Sequence, residues 1–473
     1  MPLAPDVFLA SSEFRANTTT AGAQIDPSVC RGADGRFAVA WGSSGHVFLQ
    51  RYTADGSRSG GETQISSASG ATLPDVACND TADLTIVWTG NDASGTGIRA
   101  RSLNATGGFT TGEVGVNTAT NGSQRDAAAC LAGDGSLVVV WDDQGSRIVA
   151  RRRTSIAAGF GAEITVASGA LAAPAVSCSA DGRFTVVWAD TTAGEIHGRF
   201  YAANGAPTSN VVTLGSAPQR RSSQPTTAPL DAAGAFVAWE ATPQISGTTT
   251  TVLGQRHVAG GSTPGANLGF RGSRPEVALT GAAAASFPGG DAVLAWEDRA
   301  TDLCVGRFCC DPFDFGCALP QGQRNCELSS EPFTECRNGL CCAPQPTTPP
   351  GVFLARFDAA GLRIGPEIPA HADNDFTRTS PDAGIDADGD FIVVWESADQ
   401  DGDGGGIYGR RFGTFTPERG VLSPCGGREE RWTFAVAEDQ EVQISVDSLA
   451  TATTADFCFT LDCGDGAMLA DDV

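Results

Sequence analysis

Lysine is absent from this chain of 473 residues, so all 31 of its basic side chains are arginine. That absence excludes Schiff-base chemistry on a lysine amine, a lysine general base and the lysine of a phosphate-binding P-loop. Tyrosine (3), histidine (4) and methionine (2) are nearly as scarce, and His46, His197, His257 and His371 form no recognisable cluster. No HExxH, no GxSxG and no phosphate-binding glycine loop occurs, which removes the sequence footing for the common metalloprotease, serine-hydrolase and nucleotide sites. No apolar run approaches the ~18 residues of a membrane span. The opening MPLAPDVFLASSEFRA lacks a basic segment followed by a long apolar core, so no export signal is read there.

What is abundant is acid, glycine and cysteine. Asp plus Glu number 55, giving a net charge of −24; such a surface repels phosphate backbones and anionic membranes and favours divalent cations. The plainer reading is a solvated acidic surface with no specific partner. With 59 Gly, 25 Pro and 41% hydrophobic residues, the chain has core material and many turns, the balance of an all-β protein. Fifteen cysteines, most of them recurring with a repeat or crowded into one segment, read as disulfides of an oxidising compartment, extracellular or at the cell surface.

The repeat is marked by Trp41, Trp88, Trp141, Trp188, Trp239, Trp296 and Trp395, which close the runs FAVAW, LTIVW, LVVVW, FTVVW, AFVAW, AVLAW and FIVVW. From Trp41 to Trp296 the mean interval is 51 residues, a spacing that with strand-like content points to propeller blades. One unit reads as a strand ending at Cys30, a turn at Asp34 and Gly35, a strand over 37–41, another over 47–52, a turn at Asp55 and Gly56, and a short segment from Glu62. The Trp-terminated strand is apolar without alternation, as expected if neighbouring blades cover both its faces. Segments like that at Glu62 recur at Glu113, Glu163, Asn210, Asn267 and Glu367, none clearly follows the seventh blade, and a counterpart stands at 13–17 ahead of the first. The expected architecture is therefore an all-β, seven-bladed β-propeller over 1–413, closed by its own N-terminal strand so that no sheet edge is left open.

Two segments depart from the repeat. Between Trp296 and the next strand, 304–350 carries Cys304, Cys309, Cys310, Cys317, Cys326, Cys336, Cys341 and Cys342. This reads as a small disulfide-rich insertion in blade six; without histidine or paired CxxC knuckles, zinc is the weaker alternative. From 421 to 473 the pattern changes to alternating strands that stop at Val473 with the module under way, as expected of a segment of a longer product.

Four cysteines recur in the first strand of a blade. Cys30 and Cys130 lie eleven residues before the repeat Trp, Cys78 and Cys178 ten before, which puts the two classes on opposite strand faces. If the first class faces the following blade, Cys30 meets Cys78 and Cys130 meets Cys178; the reverse leaves Cys30 and Cys178 unpaired. Four free buried thiols are the competing reading. Asp399, Asp401 and Asp403 precede Gly404 at the alternate spacing by which a loop wraps calcium, but Arg410 stands where the twelve-residue motif needs glutamate; an Asp/Gly hairpin without metal is the alternative. An arginine recurs in each third strand, at Arg51, Arg101, Arg151, Arg199, Arg256, Arg356 and Arg410, and acids follow the Trp at Asp142, Glu240, Glu297 and Glu396. These read either as a cationic ring for acidic glycans or as arginines paired with carboxylates or stacked on Trp within each blade.

The pattern of Pro, Val, Asp-Gly, valine-rich strand to Trp, and Gly-Ile-Tyr-Gly-Arg-Arg-Phe resembles the propeller repeats of large secreted and surface proteins of bacteria. That resemblance covers most of 1–413 and implies an exported adhesion or scaffold role with no transferable catalytic residues. The strands around 431–436, 442–446 and 457–461 resemble the opening of the jelly-roll domains at the C-termini of secreted bacterial proteases. The stretch from Ser179 to Trp188 is similar to the aspartate box of sialidases, but its turn lies before the Trp strand, and Tyr52, Tyr201 and Tyr408 all belong to repeat strands. The expected function is a non-catalytic, monomeric extracellular module that binds a glycan or a protein at the mouth of the ring or through the insertion, with calcium as its one candidate cofactor. Nucleic acid and membrane insertion are not expected. The rivals are a sialidase-like glycan hydrolase, which requires convergent carboxylates on one face of the ring, and a structural spacer.

Overall fold

A run such as FAVAW has no polar face to give to water, so it is stable only where both sides of its strand are covered. The computed structural model describes residues 8–79, 83–216, 220–230, 234–243, 251–257, 268–270, 277–286, 292–300, 304–305, 335–337, 340–342, 351–357, 363–372, 375–413, 433–435, 461–462 and 468–469. In it every residue of Phe37–Ser43 is buried, as is every residue of Leu137–Asp143, and all seven repeat tryptophans are at most 1% exposed. The described residues are strand, turn and loop, arranged as seven meanders in which consecutive strands pair antiparallel.

The first strands are Gln24–Arg31, Thr72–Cys78, Gly122–Leu131, Leu171–Cys178, Arg220–Leu230, Val277–Ser286 and Arg378–Ile385. Each lies against the first strand of the next blade, and Arg378–Ile385 lies against Gln24–Arg31, which closes the circle. Seven apolar cores follow, one per seam. Trp88 packs with Ala38, Ala40 and Leu49 of blade one, Trp141 with Val87 and Ile98 of blade two, and Trp41 with Ile392, Val394 and Ile407 of blade seven. Each Trp thus faces the preceding blade, and its burial at that seam is the main stabilising term of the ring.

Closure falls to the N-terminal segment. Phe14–Arg15 pairs with Gly409 and Tyr408 as the fourth strand of blade seven, and Phe8–Ala10 pairs with Gly413 and Phe412 further along the same strand. Side chains reinforce the join: Asn17 Oδ1 accepts the amide of Ile407 at 2.9 Å, and Arg410 donates to the Ser11 carbonyl at 2.6 Å. Glu13 accepts the amide of Ala372 in blade six at 2.5 Å. The same clasp recurs from Thr18 to Glu62, Ser67 to Glu113 and Thr118 to Glu163, with backbone amide and hydroxyl donating to one carboxylate oxygen.

In blade six the third strand, Gly351–Phe357, pairs with Ala292–Ala300 across the insertion. Of the expected 304–350 unit, Cys304–Val305, Glu335–Arg337 and Leu340–Cys342 form a three-stranded sheet; the rest, and with it the pairing of the eight cysteines, lies outside the described residues. Of 421–473, Thr433–Ala435 pairs with Phe8–Ala10 and Leu461–Asp462 with Met468–Leu469. The jelly-roll expectation otherwise falls outside the described residues.

Candidate functional site at the mouth of the ring

First strands begin at the end of the propeller that also carries the hairpins between second and third strands, and here each is interrupted in the same way. Pairing with the second strand shifts register by one bulge in all seven blades, from Ile25/Ser28 in blade one to Thr379/Asp382 in blade seven. In six of them the bulge holds a non-glycine residue at positive φ: Asp26 (51°), Leu73 (50°), Asp126 (52°), Ala173 (49°), Gln224 (46°) and Ser380 (52°). Five of the six precede a proline, Pro27, Pro74, Pro174, Pro225 or Pro381. A side chain in this region costs on the order of 1–3 kcal/mol, and such strain gathers at functional sites. One backbone geometry thus presents an acid, a leucine, an alanine, an amide and a hydroxyl at equivalent places around one opening.

Carboxylates dominate one sector of that opening. Glu396, next after Trp395, faces blade one and is hydrogen-bonded by the Asp26 backbone; burial, and then the charge of Asp26, push its carboxyl above the usual range, with Glu297 adding further. Burial raises Asp26 as well. On blade three, burial raises Asp126 against the pull of Arg125, and Arg125 Nε donates to Asp142 at 3.1 Å. Ile25 and Leu73, on adjacent blades, are 37% and 42% exposed. The mouth therefore combines raised carboxyls in one sector, an Arg–Asp pair in another, and apolar surface between them.

One step down the channel, the residue after each bulge is Ser28, Asp75, Ala128, Ala175, Thr226, Ala283 or Asp382. Three of them accept an amide from the next blade: Ser28 from Val76, Asp75 from Ala129, Asp382 from Val29.

Cys30 is bonded to Cys78 and Cys130 to Cys178, with Cα separations of 5.7 and 5.5 Å. Both bonds cross a seam between blades. Asp399, Asp401 and Asp403 form the hairpin between the last two strands. Asp399 has φ 58° and its amide meets the Gly404 carbonyl, Asp401 Oδ2 accepts from Asn17 Nδ2 at 3.0 Å, and Asp403 Oδ2 accepts the Gly22 amide at 3.1 Å. Two of the three candidate calcium ligands thus turn to the closing segment. Among the described residues no three His, Cys, Asp or Glu side chains converge as metal ligands would.

Four of the recurring third-strand arginines bind backbone carbonyls across a seam. Arg101, Arg151 and Arg199 donate to the carbonyls of Ile65, Val116 and Val166 in the preceding blade, at 2.9, 2.6 and 3.3 Å. Arg51 reaches forward to Ala105 and Thr106, and Arg101 stacks over Phe109 rather than a tryptophan. A planar fork suits carbonyls at the edge of a sheet as well as it suits carboxylates. These guanidiniums are struts between blades.

No family model matches the chain, and no curated protein matches it. Among solved structures it is similar to a protein of unknown function from Dyadobacter fermentans, at 10% identity over 87% of this chain and 100% of that one, TM-score 0.45. It is also similar to an alpha-L-arabinanase of Penicillium chrysogenum complexed with arabinobiose, at 10% identity over 86% and 98%, TM-score 0.41. The Aleuria aurantia lectin in complex with Fucalpha1-6GlcNAc aligns at 14% identity over 59% and 90%, TM-score 0.36. Likeness at this level carries no inference about activity. Among the described residues no helix is long and apolar enough to cross a membrane.

Proposed function

We propose that the chain is an exported, non-catalytic recognition module that takes an uncharged glycan at the mouth of the ring. The observation that carries this reading is the repeated bulge: six strained positions of one geometry hold side chains of five chemistries around a single opening. A scaffold selected only to span distance has no reason to keep that strain in blade after blade. Carboxylates such as Asp26 and Asp126 accept paired hydrogen bonds from vicinal hydroxyls, and Ile25 and Leu73 offer apolar surface to the C–H face of a sugar ring. The acidic sector and the charge of −24 disfavour polyanions. The two disulfides suit an oxidising, extracellular setting.

The test is a glycan array probed with the full oxidised chain, followed by titration of any ligand against Asp26→Ala and Leu73→Ala. Each substitution is expected to weaken binding by about tenfold or more, the loss of ~1.4 kcal/mol. Binding that both variants retain unchanged refutes a site at the mouth.

A glycan-active hydrolase is the second reading, and one observation favours it: burial, and next the charge of Asp26, raise the Glu396 carboxyl, as a neighbouring carboxylate raises the acid of a hydrolytic pair. Cleavage of an array ligand, abolished by Glu396→Gln while binding persists, selects this reading over the first.

A further inference from the structure

The two disulfides occupy equivalent places in the ring but stand in different surroundings. Cys30 and Cys78 lie at the ends of the first strands of blades one and two, away from the mouth. There a small pocket open to solvent enters the seam, and Arg36, Phe37, Arg51, Tyr52, Cys78 and Leu84 line it. Cys78 is half-buried and reaches the pocket, whereas Cys30 is only 8% exposed. The Tyr52 ring stacks on Phe37 at 4.5 Å and with the buried Leu84 makes an apolar wall. Two guanidiniums stand beside that wall, and they differ: Arg36 is ion-paired with Asp34 at 2.5 Å, Arg51 is not.

Arg51 is at the pocket because blade one departs from the repeat. Arg101, Arg151 and Arg199 turn back to a fourth-strand carbonyl of the preceding blade. For blade one that carbonyl belongs to Ala16, and Arg58 Nη2 takes the place, donating to Arg15 and Ala16 at 2.8 and 3.3 Å. Arg51 is thereby turned forward onto the neutral carbonyls of Ala105 and Thr106. Two of its N–H groups are used there, and a guanidinium has more to give. Burial pulls it below the ordinary guanidinium range, as it does a cation short of a counter-charge. At the other disulfide the corresponding Arg151 is spent on the Val116 and Gly161 carbonyls. The Asp134 turn lies across that seam instead, its amide on the Ala180 carbonyl at 3.1 Å, and brings a carboxylate.

We infer that the bond between Cys30 and Cys78 is a thiol-exchange site for small thiols that carry a carboxylate, which is seated on Arg51 while the thiolate attacks Cys78 Sγ. The old disulfide breaks as a new one forms between Cys78 and the incoming sulfur, and Cys30 leaves as a thiolate that takes its proton from water. One disulfide is exchanged for another, so no outside oxidant or reductant is needed; a second such thiol, attacking the adduct, completes the reduction and leaves as its own disulfide. Attack falls on Cys78 because the pocket reaches that residue and Cys30 is buried. The surface as a whole works the other way, since a net charge of −24 repels anionic thiols, so a preference for them has to come from the pocket. The inference does not rest on the recognition reading, since the adduct forms with no glycan present. It does bear on the mouth, because the two strands it unties carry Asp26 and Leu73 at their other ends.

The experiment treats the full oxidised chain with mercaptopropionate, mercaptoethanol and cysteamine, which are similar in size and carry a negative, no and a positive charge. Adducts are located by peptide mapping, and each rate is divided by the rate of the same thiolate with a small neutral disulfide, which removes differences in intrinsic nucleophilicity. Mercaptopropionate is expected to modify Cys78 about fivefold faster than mercaptoethanol on that scale, freeing Cys30 for alkylation before the bond between Cys130 and Cys178 reacts. Added salt is expected to shrink the preference, and Arg51→Gln to erase it. Cysteamine leading, no preference among the three, Cys130 and Cys178 reacting first, or a preference that Arg51→Gln keeps each overturns the inference. If that variant does not fold, salt decides on the parent: a preference that falls as salt rises supports the seat on Arg51, and one that salt leaves alone or enlarges overturns it.

Discussion

Two arcs of one ring are built on the same apolar seam and fastened differently. From blade seven through blade four, Trp-centred cores are supplemented by two disulfides, the Thr/Ser–Glu clasps at Glu62, Glu113 and Glu163, the axial latches of Ser28, Asp75 and Asp382, and arginine struts from blades two, three and four. From blade four through blade six the same Trp cores persist, but Asn210 and Asn267 stand where the clasp needs a glutamate, and Ala228 and Ala285 stand where blades one and three carry cysteine. The comparison teaches that burial of the tryptophans suffices to form a seam, and that among the described residues disulfides, clasps and axial latches are added to it from blade seven through blade four. A ring closed by a short strand is most exposed to opening there, and the extra fastenings oppose that opening.

The largest expected effect tests what the arcs share. Trp88→Ala and Trp239→Ala should each cost about 3–5 kcal/mol by denaturant unfolding, because each indole is buried to the same degree against the preceding blade; a small cost at either site would mean that seam is held by something else. The next separates the arcs: replacing Cys30 and Cys78 together by serine should remove about 2–4 kcal/mol, and reducing the parent should lower its melting midpoint correspondingly. Smaller again is Glu62→Ala, expected to cost about 0.5–1.5 kcal/mol through loss of the two bonds from Thr18. The smallest is a gain. Asn210→Glu places a clasp opposite Ser168, where the fastened arc gives way to the plain one, and should raise stability by a few tenths of a kcal/mol, on the scale of an exposed polar contact. Calcium is expected to leave the midpoint unmoved, since Asp401 and Asp403 already accept bonds from Asn17 and Gly22; a calcium-dependent rise that vanishes in Asp401→Ala would establish a metal site there.

Much of this ring could be read from residues alone, for a physical reason. A strand covered on both faces must be apolar throughout, so FAVAW and its six relatives declare their environment, and a fourth-strand segment at 13–17 with no partner after blade seven declares the closure. Cysteine phase was legible because side chains alternate along a strand, so an offset of one residue assigns opposite faces to Cys30 and Cys78. The mouth was not legible. Proline was visible at Pro27, Pro74 and Pro174, but a residue before proline is ordinarily extended, and nothing in the letters signals that Asp26, Leu73 and Ala173 adopt positive φ. The axial latches were hidden for another reason: Ser28, Asp75 and Asp382 are ordinary polar residues until three blades bring them together. The arginine recurrence was seen, but its partners are backbone carbonyls, which sequence does not distinguish. The Asp401 loop carries two readings in the letters, because the same alternate carboxylates that wrap a cation also accept amides from neighbouring chain.

Amide hydrogen exchange of the full oxidised chain, resolved by blade, tests the central claim of a single closed ring fastened most firmly around its N-terminal seam. The first strands Gln24–Arg31, Thr72–Cys78 and Gly122–Leu131 should exchange most slowly and Arg220–Leu230 faster. Equal protection in all blades, or fastest exchange at Gln24–Arg31, would contradict it.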